Sequence, residues 1–134
     1  MVEINNQTRS RIDSAALASV AEQALKLLGL EGRELSIGII GDKRMSQLNR
    51  DYRGKDKPTD VLSFEGEDGD LGEVILDWQY IRRQARSLGR TEIEELNFIL
   101  VHGILHLAGH DDDTEPKRLA MIAEGEALLR KIKI

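Results

Sequence analysis

"TEIEELNFILVHGILHLAG", residues 91 to 109, predicts a helix around which the rest of the fold is built. Thr91 with Glu94 three residues later has the spacing of a capping box, in which each side chain accepts a hydrogen bond from the backbone amide of the other residue. From Phe98 onward the segment is apolar on nearly all sides, which is typical of a buried helix. We therefore expect a central helix in contact with most other elements.

The segments before and after this helix carry both strand and helix signals. Strand patterns lie at residues 2–5, 34–40, 60–64 and 72–77. Further helices are expected from Asp13 or Ser14 to Gly29, from Asp42 to about residue 53, from about 78 to 88, and from Thr114 and Pro116 to Leu129. The order lacks the strict alternation of a doubly wound fold, so it predicts an α+β class with about four strands and four to five helices. The acidic turn "EGEDGD" predicts that the last two strands form a hairpin or are neighbours.

Length and composition limit the classes of protein to consider. With 134 residues, of which 40% are hydrophobic, the chain suffices for one compact core, so a single domain over residues 1–134 is expected. The polar N-terminus does not look like a signal peptide, and no apolar stretch is long enough to span a membrane, which predicts a soluble, cytoplasmic protein. Because there are no cysteines, a metal ion would have to be held by histidine and carboxylate.

The charge pattern differs between the whole chain and two of its segments. A formal net charge of −5 argues weakly against a nucleic-acid partner, because phosphate binding relies on cationic side chains. Residues 43–57, however, contain six lysines and arginines against two aspartates, and residues 82–90 contain four arginines. Since a nucleic acid responds to the local potential, these two stretches leave a nucleic-acid partner open. Either stretch could also be an ordinary solvated helix face.

Two histidines of the central helix have the spacing of metal ligands. His102 and His106 are four residues apart, so both imidazoles project from one helix face and can reach one ion. A pair of core histidines satisfied by hydrogen bonds would have the same spacing. Gly109 favours the metal interpretation, because it can end the helix in a left-handed conformation and turn the chain back. Asp112, ten residues after His102, would then supply the third ligand.

Three motifs together resemble the YbeY family of bacterial ribosomal-RNA maturation endoribonucleases. The first, "HGILHLAG" followed by "HDDD" at residues 102–113, is similar to the family signature "HGxLHLxGYDH". The others are "NRDYRGKDKPTDVLSFE" at 49–65 and "LGEVILD" at 71–77, and the resemblance covers essentially the whole chain. It implies a mixed sheet, a central metal-bearing helix, a metal ion that is usually zinc, and cleavage of single-stranded RNA in small-subunit ribosomal-RNA maturation and ribosome quality control.

The chain departs from the family signature at the third ligand. Where the family has Tyr-Asp-His, this sequence has His110, Asp111 and Asp112, so a carboxylate replaces the third histidine. Asp112 is the first choice for that ligand and His110 the runner-up, while Asp111 or Asp113 could also take the place. Compared with a third histidine, an anionic ligand lowers the net charge of the site and weakens the Lewis acidity of the bound ion. A carboxylate ligand also suits harder ions, so manganese and magnesium become alternatives to zinc.

The resemblance also assigns roles outside the metal site. Arg53 occupies the place of a family arginine near the metal cleft, and its fork of donors suits a phosphate, so it is the candidate catalytic residue. Thr59 and Asp60 are interpreted mainly as turn residues, with Ser63 lining the cleft. The scarce aromatics Tyr52, Trp78 and Tyr80 could stack on bases, but aromatics in a small domain are more often core.

Two other functions have to be weighed against an endoribonuclease. The His-x3-His spacing also occurs in metzincin proteases, but Gly103 stands where those enzymes carry the glutamate that acts as general base. A ribosome-associated assembly factor whose metal only braces the fold is the other possibility. The expected partners are single-stranded ribosomal RNA and the small ribosomal subunit, with no membrane and no DNA, and the oligomeric state is left open.

Overall fold

The computed structural model describes residues 1–134 and contains four strands and five helices. The strands are β1 (Val2–Asn6), β2 (Leu35–Ile40), β3 (Val61–Glu65) and β4 (Gly72–Asp77). The helices are α1 (Ser14–Leu27), α2 (Asp42–Arg53), α3 (Trp78–Leu88), α4 (Glu92–Leu107) and α5 (Glu115–Lys131). The predicted α+β class is confirmed. None of the five helices has the length and apolar character needed to cross a membrane.

The four strands form one mixed sheet in the order β1-β2-β4-β3. β1 pairs with β2, and β2 with β4, in parallel, while β3 and β4 form the predicted antiparallel hairpin with Val61 opposite Leu76. Because parallel neighbours need a crossover, α1 connects β1 to β2, and the segment of α2 and β3 connects β2 to β4. β3 is therefore an edge strand, and one side of its backbone is unpaired.

The sheet has a large core on one face and a small one on the other. Leu35, Ile37 and Ile39 of β2 point to the same face, as predicted, and join a core of 22 buried residues that includes side chains of α1, α4 and α5. On the opposite face a cluster of four buried residues lies between α2 and the sheet, among them Met45 of α2 and Ile75 of β4. Only part of this second face is covered by a helix, which leaves room for a surface hollow beside α2.

α4 has the predicted capping box and central position. The Thr91 hydroxyl accepts a hydrogen bond from the amide of Glu94 at 3.1 Å, and the Glu94 carboxylate accepts one from the amide of Thr91 at 2.9 Å. Apolar side chains from Leu96 to Leu105 are buried in the main core. The capping box fixes the residue at which the helix begins.

Gly103 lets α4 approach the sheet more closely than any other residue would allow. A Cβ atom at this position would lie 2.8 Å from Val74 Cγ1 and 3.1 Å from Val61 Cγ2, both closer than ordinary contact. The Ser63 hydroxyl of β3 donates a hydrogen bond to the Gly103 carbonyl at 3.0 Å. The metal-ligand candidates on either side of Gly103 in the sequence are thus held close to the edge strand.

α2 begins at Asp42 as predicted, but the Asp42 side chain does not cap it. The N-cap residue is Gly41, which has no side chain, and the Asp42 amide donates instead to Gln79 Oε1 at 2.8 Å. The Asp42 carboxylate accepts two hydrogen bonds from Arg83, at 2.7 and 3.0 Å. A pairing between α2 and α3 therefore takes the place of a local cap.

Candidate metal centre

The two histidines of α4 lie on one face of its last two turns. His102 and His106 have ring centroids 5.2 Å apart and ring planes inclined at 79°. His102 is mostly buried, whereas the side chain of His106 is about one-third exposed. Because the helix continues through both residues, their positions are fixed by backbone that is itself buried in the core.

A Schellman turn at Gly109 brings the following loop back toward the histidines. The His110 amide donates to the Leu105 carbonyl at 3.0 Å and the Gly109 amide donates to the His106 carbonyl at 3.1 Å, which is the hydrogen-bond pair of that motif. Gly109 has a φ of 99°, a conformation that residues with a Cβ rarely adopt. The turn explains why a residue ten positions after His102 can reach the same place.

Asp112 lies beside both imidazoles. Its Oδ2 atom is 3.7 Å from His102 Nε2 and 3.4 Å from His106 Nε2, and one ligand atom from each of the three residues lies within 4.8 Å of the others. A tetrahedral zinc ion with bonds of 2.0–2.1 Å would place its ligand atoms about 3.4 Å apart. The donor set of two imidazoles and a carboxylate thus fits a divalent ion with little rearrangement.

The electrostatic environment favours a neutral imidazole at His102. Burial lowers the pKa of His102 from its usual value, and the neighbouring His106 lowers it further, while Asp60 and Asp112 partly oppose the shift. A histidine binds a metal ion only through a deprotonated ring nitrogen. The site therefore keeps His102 in the protonation state that a ligand needs.

The other three candidates for the third ligand lie in the same loop but outside this group. The three-residue group that could hold an ion contains Asp112 and not His110, Asp111 or Asp113. Asp111 accepts a hydrogen bond from the Asp113 amide at 3.2 Å, and Asp113 is 3.4 Å from the ammonium of Lys117. His110 and Asp111 line the adjoining cleft. The geometry ranks Asp112 ahead of its alternatives.

A cleft of about 590 Å³ opens beside the histidines, and Arg53 lies in its wall. One side of the cleft is formed by α4 and its following loop, and the other by β3 and the segment that precedes it. Arg53, the last residue of α2, is exposed and forms no ion pair with a carboxylate. Its guanidinium is free to bind an anion in the cleft. Ser63 lines the cleft as expected.

The two basic stretches differ in how many of their charges are neutralised. In residues 82–90, three of the four arginines form ion pairs, with Arg82 bound to Glu92, Arg83 to Asp42 and Arg90 to Glu95. In residues 43–57, only Arg50 has carboxylate neighbours, at 3.7 Å. The remaining cations of that stretch are Lys43, Arg44, Arg53, Lys55 and Lys57. The first stretch thus serves mainly to join elements, whereas the second is a free basic surface that reaches the cleft at Arg53.

A buried polar chain behind the cleft was not predicted from the sequence. The side-chain amide of Gln84 donates to Asp60 at 3.3 Å and to Glu95 at 2.7 Å, and Arg90 donates to Glu95 at 2.8 Å. Glu95 is only 1% exposed, and Asp60 lines the cleft. Asp60 thus belongs to the cleft as well as to the turn to which the sequence assigned it. No local sequence signal indicates this arrangement, because the four residues lie in separate segments of the chain.

The aromatic residues have different environments. Trp78 is buried in the main core, as expected for a scarce aromatic, and Tyr80 is half-buried beneath the guanidinium of Arg83. Tyr52 is 66% exposed, so the expectation of a core position is wrong for this residue. It is adjacent in sequence to Arg53, at the end of α2 where the helix meets the cleft.

Comparisons with known proteins agree with the motifs. A family model described as "Endoribonuclease YbeY" matches residues 3–133. Proteins named "Endoribonuclease YbeY" include one from Geobacillus thermodenitrificans, 37% identical over 96% of this chain and 91% of its own length. One from Sulfurovum sp. is 36% identical over 86% of this chain and 80% of its own. A solution structure of a Thermotoga maritima protein matches 98% of this chain and 93% of its own with a TM-score of 0.62 and 26% identity.

Proposed function

The chain belongs to the YbeY family of endoribonucleases, and we propose that it is a metal-dependent hydrolase that cleaves phosphodiester bonds of single-stranded RNA. The observation that carries this proposal is the position of Arg53 in the same cleft as the His102, His106 and Asp112 group. A cation and a metal-ligand set that face one open space can act on the same phosphate. The proposed substrates are ribosomal-RNA precursors of the small subunit, which would place the enzyme in the cytoplasm.

His102, His106 and Asp112 are the proposed metal ligands, with zinc as the first choice and manganese or magnesium as alternatives. When bound, a divalent ion would supply positive charge and Lewis acidity beside the scissile phosphate. A structural zinc site has four protein ligands, whereas a catalytic site usually has three and keeps one position open. The group contains three ligand residues and borders a cleft, which supports the catalytic alternative over an assembly factor with a purely structural metal.

Arg53 is the proposed residue that stabilises charge on the phosphate. Its guanidinium carries parallel donors that match two phosphate oxygens, and no carboxylate of the chain competes for it. The free cations of residues 43–57 would guide the RNA backbone into the cleft, since local potential rather than net charge governs that attraction. Cleavage would then depend on Arg53 more than on the other cations, because only Arg53 lines the cleft.

Metal analysis together with single-turnover cleavage of a single-stranded RNA tests this proposal. His106→Ala should lose both the metal ion and cleavage, whereas Arg53→Ala should keep the metal ion and the melting temperature and lose about 10²- to 10³-fold in rate. Arg53→Lys should recover only part of the rate, because a point charge cannot reproduce the bidentate contact. Arg86→Ala, which removes an exposed arginine outside the cleft, is the matched control.

The same metal analysis separates the candidates for the third ligand. Asp112→Ala should lower the metal content, and His110→Ala should leave it unchanged, since only Asp112 lies beside both histidines. Unchanged metal content in His106→Ala, or a wild-type single-turnover rate in Arg53→Ala, would contradict the proposed site.

A further inference from the structure

A second hollow of about 430 Å³ lies on the face of the sheet opposite α4, beside α2. We call it the Tyr52 pocket, because Tyr52 and Phe64 form its aromatic wall. Its floor is apolar and consists of Ile40, Leu48 and Ile75. A hollow of this volume with an aromatic wall and an apolar floor is suited to a flat, largely apolar group.

The aromatic wall offers ring faces to solvent. Tyr52 and Phe64 have ring centroids 4.9 Å apart and planes inclined at 63°, which is an edge-to-face arrangement. In such a pair the edge of one ring covers one face of the other ring, and the contact leaves the other faces uncovered. Tyr52 is 66% exposed, although other residues of α2 are buried against the sheet. Because the Tyr52 ring already packs against Phe64, it loses little further conformational entropy when a ligand stacks on it.

The Tyr52 pocket and the metal cleft are lined by residues that are adjacent in sequence, on opposite faces of the edge strand. Tyr52 lines the pocket and the next residue, Arg53, lines the cleft. On β3 the side chains alternate in the same way, because Phe64 faces the pocket and its neighbours Ser63 and Glu65 face the cleft. A chain bound in the cleft at Arg53 therefore reaches the pocket by crossing only the outer edge of β3.

The charges around the pocket have opposite signs on its two sides. Arg44 lies at the rim on the α2 side and pairs with no carboxylate; its side chain donates one hydrogen bond, of 3.5 Å, to Gln47. On the other side lies Glu73, and beyond it an acidic stretch with Glu65 and Asp70. A polyanion would keep its backbone on the basic side and turn a neutral base inward, where Gln7 and Glu73 offer hydrogen-bond partners to the base edge.

We propose that the Tyr52 pocket binds an unpaired nucleobase of the same RNA strand whose scissile phosphate lies in the metal cleft, with the base stacked on Tyr52. This inference rests on the proposed endoribonuclease function. Stacking on an aromatic side chain is tolerant of base identity, so the pocket selects for a base that is free to leave a helix. It thereby gives a physical reason for a preference for single-stranded RNA.

The test uses a short single-stranded oligoribonucleotide with the fluorescent base 2-aminopurine placed at each position in turn. One position should show quenched fluorescence when the wild-type protein binds, since stacking on an aromatic ring quenches this base. Tyr52→Leu, which keeps apolar bulk but removes the ring, should abolish the quenching and weaken binding by about 5- to 150-fold. Tyr52→Phe should retain both, and Leu27→Ala, an exposed apolar position on α1, is the matched control.

A second readout separates this inference from the proposed function. In the wild-type protein, an abasic nucleotide at the quenched position should weaken binding, and Tyr52→Leu should be insensitive to the same change. If cleavage and its dependence on Arg53 are intact while Tyr52→Leu binds every oligonucleotide like the wild-type protein, the pocket is not a base site and the proposed function stands. If no variant or wild-type protein cleaves or binds RNA, the proposed function itself fails.

Discussion

Asp77 is a buried carboxylate whose environment favours its protonated form. It is fully buried at the end of β4, its Oδ1 accepts a hydrogen bond from the Tyr80 amide at 3.1 Å, and its Oδ2 has no partner. Burial raises the pKa of Asp77 to about 7, and the nearby carboxylate of Asp42 adds to the shift. The folded state thus binds a proton that the unfolded chain has already released over this pH range.

The predicted consequence is a pH dependence of stability that Asp77→Asn removes. Because the folded-state pKa is raised, the stabilisation is complete below the ordinary pKa of 3.8 and is lost as the pH rises through about 7. Asp77→Asn keeps the cap of α3 without the charge, so at pH 8 it should raise the free energy of unfolding by about 1–3 kcal/mol. At pH 4 the variant and the wild-type protein should be nearly equal.

Urea unfolding at both pH values checks this prediction. Glu31→Gln, which neutralises an exposed carboxylate without an ion pair, should leave the pH dependence unchanged. The explanation through Asp77 would be wrong if Asp77→Asn were destabilising at pH 8 or if its stability still fell from pH 4 to pH 7 as steeply as that of the wild-type protein.

At the scale of elements, the junction of α3 and α4 depends on Glu95. This carboxylate is 1% exposed and accepts hydrogen bonds from Arg90 and Gln84, so removal of Arg90 leaves a buried charge without its counterion. Such a loss costs about 3–5 kcal/mol for a fully buried pair, and about 2–3 kcal/mol is expected here because Arg90 is partly exposed. Arg90→Met keeps an apolar side chain of similar length and removes the guanidinium, including its contact with the Phe98 ring.

Arg82→Met is the comparison that makes the Arg90 result interpretable. Arg82 pairs with Glu92 nearby, but both partners are nearly half exposed, so its removal should cost less than about 1 kcal/mol. Chemical unfolding followed by the fluorescence of Trp78, the single tryptophan, measures both variants. Equal losses for Arg90→Met and Arg82→Met would show that burial of Glu95 does not govern the junction.

Elements were predictable from the sequence where their signals are local. The capping box at Thr91, the left-handed glycines that end helices, and the alternation in β2 all act within a few residues, and the structure agrees with them. The strand order β1-β2-β4-β3 was not derivable in this way, because pairing depends on contacts between distant segments. The same limit applies to the Asp42 pair with Arg83, which joins residues 41 positions apart.

The candidate site, too, was predictable from the sequence only where its residues lie close together in the chain. The +4 and +10 spacing of His102, His106 and Asp112 lies within one helix and its turn, so the three could be grouped before the structure. The polar chain from Asp60 through Gln84 to Glu95 could not, since it links α3 and α4 to the segment before β3. For Tyr52, amino-acid type favoured a buried position, and only the packing of α2 on the sheet shows that it lies in solvent.

At the scale of the whole molecule, some basic side chains form ion pairs with carboxylates and others do not. This difference predicts which of them make the affinity for RNA depend on salt concentration. Lys55 and Lys57 lie in the free basic surface, whereas Arg82 is paired within the protein. Each lysine that contacts a phosphate of a single strand should contribute about 0.7 to the slope of log affinity against log salt concentration. The double variant Lys55→Gln, Lys57→Gln should therefore bind RNA more weakly with a slope smaller by about 1.4.

Titration of a single-stranded RNA at several salt concentrations measures that slope. Arg82→Gln should keep the wild-type slope, because in the wild-type protein Glu92 already neutralises the charge of Arg82. A reduced slope in Arg82→Gln, with none in the lysine double variant, would assign RNA binding to α3 instead of the end of α2.

The loop after Gly109 also bears on how such an enzyme can evolve. His102 and His106 lie in a helix whose other side chains are buried in the main core, whereas Asp112 lies in the exposed loop that follows the Schellman turn. Because residue 112 is exposed, we expect a substitution there to change the proposed ligand set at little cost in folding stability, so that selection can adjust metal preference almost independently of stability. The replacement of a family histidine by aspartate at this position is the kind of change that such an arrangement permits.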